Sequence, residues 1–372
     1  MPVRATKRGA LRTPLAGEHD VAICGASFAG LAVARELAGS GARVLVLDRY
    51  EIGERQTSAC AAPAPVLEYL GLETSVRQRF DEMVIHTRFR SFRWPLPFSF
   101  ATFDYAGLCE LLWTQCGAAT FDTATVTGCH EATGGRRVVQ TDRGDVDAPL
   151  VVDALGWRRV LDGGGDPIRP PAAAMSRGLE VHPAGASGDL EIWIDPGCVR
   201  RGYGWNFPAD DELRVGIGSF DPRDHVREPT ARLAHSLGRE PRGYQGNWIP
   251  HALRAATDGP VFFAGDSAGH CLPATAEGIR PALYFGTALG RELADVIAGR
   301  QTRGQALARY GEFHERHRWA WRWLLRTQRA IGGMSPYPAL TSAFELMDRP
   351  RVIDWAFGKY LGICSPELLR SR

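Results

Sequence analysis

The chain has 372 residues, 44% of them hydrophobic and 23% charged, an ordinary composition for a globular enzyme with a large core or two interleaved domains. A net charge of +2 gives no footprint for a nucleic-acid partner, and no apolar stretch is long enough to cross a membrane. The eight dispersed cysteines lack a C-x-x-C pair or a zinc spacing, so they read as reduced thiols in a cytoplasm, with no metal site.

Residues 1–18 are basic but lack the apolar run of a signal peptide, and read as a disordered tail. Asp20 to Cys24 (DVAIC) then forms a short apolar strand, followed by the turn GASFAG from Gly25 to Gly30. An apolar-periodic helix ends near Gly41, and a second strand, RVLVLD, closes at Asp48. Strand, glycine turn, helix, strand, terminal acid is the context of a dinucleotide fingerprint. Gly25 permits the tight turn and Gly30 lets the helix pack closely on the strand. The helix N-terminus offers amides and partial positive charge to a pyrophosphate. Asp48, with Arg49 beside it, would address the ribose. Ser27 stands where the middle glycine belongs, and its small side chain still allows a phosphate to approach. By itself this unit would serve NAD or FAD.

Helical spacing recurs over 63–80 and 104–117, whereas 85–103 and 176–220 read as strands of a second sheet. VVDALGW, with Asp153 and Gly156, is a buried strand ending in a glycine turn. In 202–218, period-two spacing puts Tyr203, Trp205 and Phe207 on one strand face, and Gly216 and Gly218 follow. Three rings on one face make either sheet core or an apolar wall for a lipid-like or aromatic substrate. Further on, VFFAG is a buried strand, Gly265 and Asp266 follow, and PATAEGI (273–279) leads into a helix beginning near Glu277. Residues 303–330 contain a helix rich in Arg and Trp. It would pack its Trp on the protein with Arg in solvent, or touch an anionic membrane surface. His270 and Cys271 sit in the loop after Asp266 without an identifiable partner.

Three of these segments together resemble the flavoprotein group of aromatic hydroxylases, halogenases and geranylgeranyl reductases. They are GASFAG with Asp48, the strand–Gly265–Asp266–loop–helix unit, and the Y-x-W-x-F-P…G-x-G strand pair; the likeness spans residues 19 to about 300. VVDALGW matches the short D-x-x-G strand end of the same group. Within it, Y-x-W-x-F-P and PATAEGI are closest to the geranylgeranyl reductases. Three departures stand out: Ala276 replaces the usual Gly before Glu277, Cys60 keeps its position without the usual glycines, and no Arg stands in the usual FAD-contacting place before Phe103 and Asp104. The resemblance implies FAD as cofactor, with Asp266 on the ribityl chain and Pro273, Gly278 and Ile279 near the isoalloxazine. Tyr203, Trp205 and Phe207 would then border the substrate cavity. No second glycine fingerprint for a nicotinamide cofactor is present in the sequence, so electrons would come from transient NAD(P)H or a separate reductase. The flavin halogenases need an active-site Lys; the only lysines here are Lys7 and Lys359, which argues against halogenation.

The expected fold is α/β. A Rossmann-type FAD-binding domain (19–84, 104–165, 255–300) is interleaved with a smaller antiparallel-sheet substrate domain (85–103, 166–254), and a helical region (301–372) follows. The expected activity is FAD-dependent reduction of a C=C bond in an apolar, isoprenoid-like or aromatic small molecule. The alternatives are a flavin monooxygenase hydroxylating or epoxidising such a substrate, and a non-catalytic flavin binder. An electron-donor protein is a possible partner.

Overall fold

The computed structural model describes residues 14–15, 17–56, 58–162, 168–170, 174–333 and 338–370. The first unit is β1 (Val21–Cys24), α1 (Phe28–Glu36) and β2 (Val44–Asp48). A short β3 (Ala61–Pro63) and α2 (Ala64–Tyr69) lead to two long strands, β4 (Val76–His86) and β5 (Ser91–Phe103). The chain returns through α3 (Tyr105–Thr114) and β6 (Thr120–Thr123) to a small meander, β7 (Val126–Glu131), β8 (Arg137–Thr141) and β9 (Gly144–Ala148), and then β10 (Leu150–Asp153). Next come β11 (Met175–Val181), β12 (Leu190–Trp193), β13 (Gly202–Ala209), β14 (Glu212–Ser219), α4 (Arg227–Ser236) and β15 (Gln245–Pro250). β16 (Thr257–Asp258), β17 (Val261–Phe263) and α5 (Ile279–Ile297) complete the nucleotide end. Four helices close the chain: α6 (Arg303–Glu315), α7 (Arg318–Gly333), α8 (Pro338–Met347) and α9 (Pro350–Ile363).

The six-stranded sheet runs β16-β17-β10-β1-β2-β6, with every pairing parallel except β16 with β17. Parallel strands are covered on both faces, which is why VAIC, VLVL and LVVD are buried along their whole length. Helix α5 crosses α1 over one of these faces. The crossing is close because Gly286 and Gly290 stand at the contact: a Cβ on Gly286 would lie 2.6 Å from the Ala29 carbonyl oxygen, and one on Gly290 2.8 Å from that of Val33. The eight-stranded sheet runs β15-β11-β14-β13-β12-β4-β5-β3, antiparallel apart from β12 with β4. Helix α4 buries one face of it through Val215, Ile217, Leu233 and Ala234. At the other end, the opposite face packs Met83, Ile85 and Trp94 against Leu340, Phe344 and Ile353 of α8 and α9.

Several boundaries differ from the sequence reading. The helical spacing over 63–80 holds only for α2. A 3₁₀ turn at Glu73–Ser75 breaks it, and residues from Val76 join the second sheet, so that sheet begins before residue 85. The 303–330 segment is two helices, α6 and α7, not one. The expected tail largely lies outside the described residues. Its described end is held: the Leu15 amide donates to the Arg143 carbonyl at 2.7 Å, and Glu18 bridges to Asp147 on β9. The eight cysteines carry no disulfide. Among the described residues, no helix is long and apolar enough to cross a membrane.

Candidate cofactor and substrate site

The glycine turn is shaped by backbone demands that the sequence meets. Gly25 has φ +116°, and a Cβ there would lie 2.2 Å from the Ala154 carbonyl oxygen at the end of the neighbouring strand. A Cβ on Gly30 would meet the Gly25 carbonyl oxygen at 1.8 Å, so only glycine lets α1 start this close to β1. Ser27 is the N-cap of α1 yet does not cap it, because its hydroxyl shares a hydrogen bond with the Tyr105 hydroxyl at 3.1 Å. No acid sits in the first turn. The leading amides of α1 are thus left for an external anion. Asp48, at the end of β2, accepts from the Ala26 amide at 2.9 Å and the Tyr50 amide at 3.1 Å. Burial raises its carboxyl above the usual range despite these donors. Burial also lowers the Arg49 guanidinium, which stacks 5.0 Å from the Tyr50 ring centroid.

Asp153 ends β10, and both of its oxygens are already taken. They accept from the Leu155 amide (2.9 Å), the Leu161 amide (2.8 Å) and the Ser267 hydroxyl (2.7 Å). It therefore ties the D-x-x-G turn to the Gly265–Ala268 turn. Asp266 is its opposite. No hydrogen bond from the described residues reaches the Asp266 carboxylate, which is partly open to solvent, and burial pushes it up to about 6 against the pull of Arg254. A desolvated carboxylate without donors is a site for a ligand rich in hydroxyls. The Gly278 backbone lies alongside: a Cβ there would be 3.9 Å from Asp266 Oδ1 and 3.7 Å from Cys271 Sγ. Gly278 is the uncapped N-cap of α5, a 19-residue helix with no acid in its first turn. Its positive end thus opens beside Asp266.

The loop before α5 is braced from the C-terminal helices. Glu277 forms a two-pronged ion pair with the fully buried Arg280 (2.9 and 2.7 Å) and accepts from the Tyr360 hydroxyl. Arg280 also donates to the Leu361 and Cys364 carbonyls, each at 3.1 Å. Ala274 and Ala276 both adopt left-handed backbone, φ +69° and +51°. This explains why glycine is the usual residue at position 276. His270 Nδ1 accepts from the Gly265 amide at 3.1 Å, so its Nε2 carries the proton and donates to His314 Nδ1 at 3.0 Å. Burial holds both imidazoles neutral, with His314 down to about 4. His270 is thus a buried brace of the turn, and His314 is its partner.

Tyr203, Trp205 and Phe207 do share one face of β13, paired with Gly218, Gly216 and Arg214 of β14. The purpose of G-x-G is visible here. The Trp205 indole lies across Gly216, where a Cβ would be 2.1 Å from its ring, and reaches Gly218 and Gly178. The Tyr203 hydroxyl donates to the Thr275 carbonyl, which ties this wall to the α5 loop. Beneath the wall lies a polar cluster that is not legible in the sequence. Glu180, only 3% exposed, accepts from Trp205 Nε1 at 3.1 Å, from His182 Nε2 at 2.9 Å, and from the Gln245 amide. Burial pulls the His182 imidazole down, but Glu180 and Glu212 outweigh it and raise it to about 9. Arg214 then donates to the Ala59 and Cys60 carbonyls, each at 3.2 Å. Cys60 itself is buried with φ +54° and turns its thiol to the Ser58 carbonyl at 3.1 Å. The cluster thus pins the 58–60 strap to the aromatic wall.

Residues 20–88 match the family model described as FAD dependent oxidoreductase. No curated protein matches. Among solved structures, the chain is similar to a geranylgeranyl bacteriochlorophyll reductase-like protein from Thermoplasma acidophilum, at 16% identity and TM-score 0.79, covering 95% of this chain and 98% of that one. It is also similar to PqsL, a probable FAD-dependent monooxygenase from Pseudomonas aeruginosa (17%, TM-score 0.68, 88% and 100% covered). A third is OxyS anhydrotetracycline hydroxylase from Streptomyces rimosus (21%, TM-score 0.66, 95% and 76% covered). The fold is that of the FAD-dependent oxidoreductases. In this flavoprotein fold the expected α/β architecture is present: a parallel Rossmann-type sheet, a largely antiparallel second sheet and C-terminal helices.

The residues present fit FAD on the structure's own terms. Two uncapped helix N-termini, α1 and α5, open at the end of the parallel sheet where β1, β2, β10 and β17 finish. The unpartnered Asp266 carboxylate stands beside the second. Gly25, Gly30, Asp48, Gly265, Asp266 and Gly278 are brought to these two helix ends, and Pro273 and Ile279 flank the α5 loop. Three contributors escaped sequence reasoning: Gly286 and Gly290, whose i, i+4 spacing in a helix was a usable signal, and Glu180, which had none.

Proposed function

We propose that the chain is an FAD-dependent reductase of an apolar, isoprenoid-like or aromatic small molecule, acting on a C=C bond. The observation that carries this reading is the wall of Tyr203, Trp205 and Phe207, tied through Tyr203 to the loop that opens α5. It is a broad apolar surface joined to the cofactor end, with a floor cleared by Gly216 and Gly218. Similarity to the reductase-like structure over nearly the whole of both chains supports reduction; PqsL and OxyS support the monooxygenase alternative on the same scaffold.

When bound and reduced, FAD supplies the hydride. The second hydrogen of the saturated product arrives as a proton from water or a protein group, and the chain's own residues bind and orient. The α1 amides would hold the pyrophosphate, Asp48 with Arg49 the adenosine side, and Asp266 the ribityl hydroxyls. The α5 N-terminus would favour the negative charge of the reduced flavin. The aromatic wall orients the substrate and excludes water. NAD(P)H or a separate reductase, reaching the site transiently, would supply the electrons. The test is to identify the purified flavin, reduce it without oxygen, and follow its reoxidation with polyprenyl, quinone and aromatic candidates. Reoxidation by one class with a saturated product supports the reading. Recovery of FMN, or no flavin after reconstitution with FAD, overturns it.

A further inference from the structure

Helix α7 has two different faces. The inner one carries Trp321, 3% exposed, whose Nε1 donates to the Gly269 and Cys271 carbonyls at 3.1 and 2.9 Å. Gln328 on the same side accepts from the Ala274 amide at 2.9 Å. This face therefore clasps the loop between Asp266 and α5. The outer face is a different surface. Trp319 and Trp323, one helical turn apart, are 68% and 55% exposed. The expectation that this helix would pack its Trp on the protein holds for Trp321 alone.

Arg322, Arg326 and Arg329 are exposed between and beyond these indoles, at three- and four-residue spacing. None makes an ion pair with the described residues. From His317 to Gly333 the sequence contains no acid at all. Glu315, at the N-terminal end, is held by Arg318. Apolar exposure is concentrated in this region: five of the seven large apolar side chains exposed among the described residues, Trp319, Trp323, Leu346, Met347 and Trp355, belong to α7–α9.

We propose that the outer face of α7 docks on an anionic membrane surface. Indole side chains settle at the headgroup level, where the ring is apolar and its N–H stays wet, and unpaired guanidinium groups beside them are drawn to anionic lipid. Helix α7 then lies in the plane of the interface while its inner face holds the candidate site's loop, which, on the proposed function, sets the site beside the phase in which an apolar substrate dissolves. The docking itself depends on this surface alone and stands apart from the redox chemistry.

The test uses the full purified chain with vesicles of phosphatidylcholine, alone or mixed with phosphatidylglycerol, by co-sedimentation and tryptophan emission. Binding is expected to the mixed vesicles, with a blue shift, and to weaken with salt. Replacing the three cations (Arg322→Gln, Arg326→Gln, Arg329→Gln) lowers partitioning on the order of a hundredfold, about fivefold per cation. Trp319→Ser with Trp323→Ser abolishes the blue shift and most of the binding. Both variants sit on the exposed face, and unchanged circular dichroism confirms that they fold. The proposal is overturned if the wild type ignores the mixed vesicles or if both variants bind as it does. A dimer that the Trp variant dissociates, with no vesicle binding, overturns it in favour of a contact between copies. Salt-sensitive retention on polyglutamate without vesicle binding overturns it in favour of an acidic protein partner.

Discussion

Replacing Glu180 by alanine removes the one acceptor shared by Trp205, His182 and Gln245. The buried Trp205 indole is left without a partner, at about 1–3 kcal/mol, whereas the half-buried Gln245 amide keeps the Ser58 carbonyl at 3.4 Å. The protonated His182 loses the nearer of its two carboxylates, and breaking a buried ion pair costs about 3–5 kcal/mol. These costs overlap, so the expected loss is about 4 kcal/mol, a large part of a typical folding stability of roughly 5–15 kcal/mol. Glu180→Gln keeps an acceptor but no charge and should lose about half as much. The assay is urea unfolding followed by tryptophan emission, as a function of pH. His182 is raised from the ordinary 6.5 to about 9 in the folded chain. Its pairing therefore contributes in full below about pH 6.5 and is lost as pH rises through about 9. The gap between wild type and Glu180→Ala should narrow above that pH. A loss under about 1 kcal/mol at neutral pH, or a gap that does not move with pH, would show that Glu180 does not hold the cluster together.

Other outcomes follow from single positions. Asp266→Asn should weaken FAD retention at least tenfold. Because burial raises the folded carboxyl from 3.8 to about 6, the flavin-free chain loses stability as pH rises between those values, and the loss is complete above them. The same substitution should therefore stabilise the apo-protein at pH 7 by about 2 kcal/mol, measured by denaturant midpoint with and without FAD. Gly286→Ala sets a Cβ 2.6 Å from the Ala29 carbonyl and should cost about 1–3 kcal/mol, with faster flavin loss on dilution. Ala276→Gly relieves a left-handed alanine and should stabilise by about 0.5–1 kcal/mol in a thermal melt, after the added chain entropy of glycine is subtracted. Gly216→Ala, which drives a methyl into the Trp205 ring, should raise KM for the apolar substrate while leaving FAD content unchanged.

The sequence shows what is local. GASFAG between two apolar runs, and Gly265–Asp266 after VFFAG, are short-range patterns whose backbone demands are written in glycines. The common face of Tyr203, Trp205 and Phe207 follows from strand alternation alone. What stayed hidden depends on pairing between distant strands. Gly216 and Gly218 read as a motif, yet their purpose needs the register that sets Trp205 opposite Gly216. Glu180 looked like any strand residue until β15 brought Gln245 alongside it. Residues 70–80 kept helical spacing but became strand from Val76, since the pairing of β4 with β5 outweighs a local periodicity. Ala276 was visible as a departure, but its left-handed φ was not.

Reduction by bound FAD is recorded in the mass of the product. The reduced protein should turn over its substrate in the complete absence of oxygen, giving a product heavier by two hydrogens. Turnover that requires oxygen and places labelled oxygen in the product would rule out reduction and make the protein a monooxygenase.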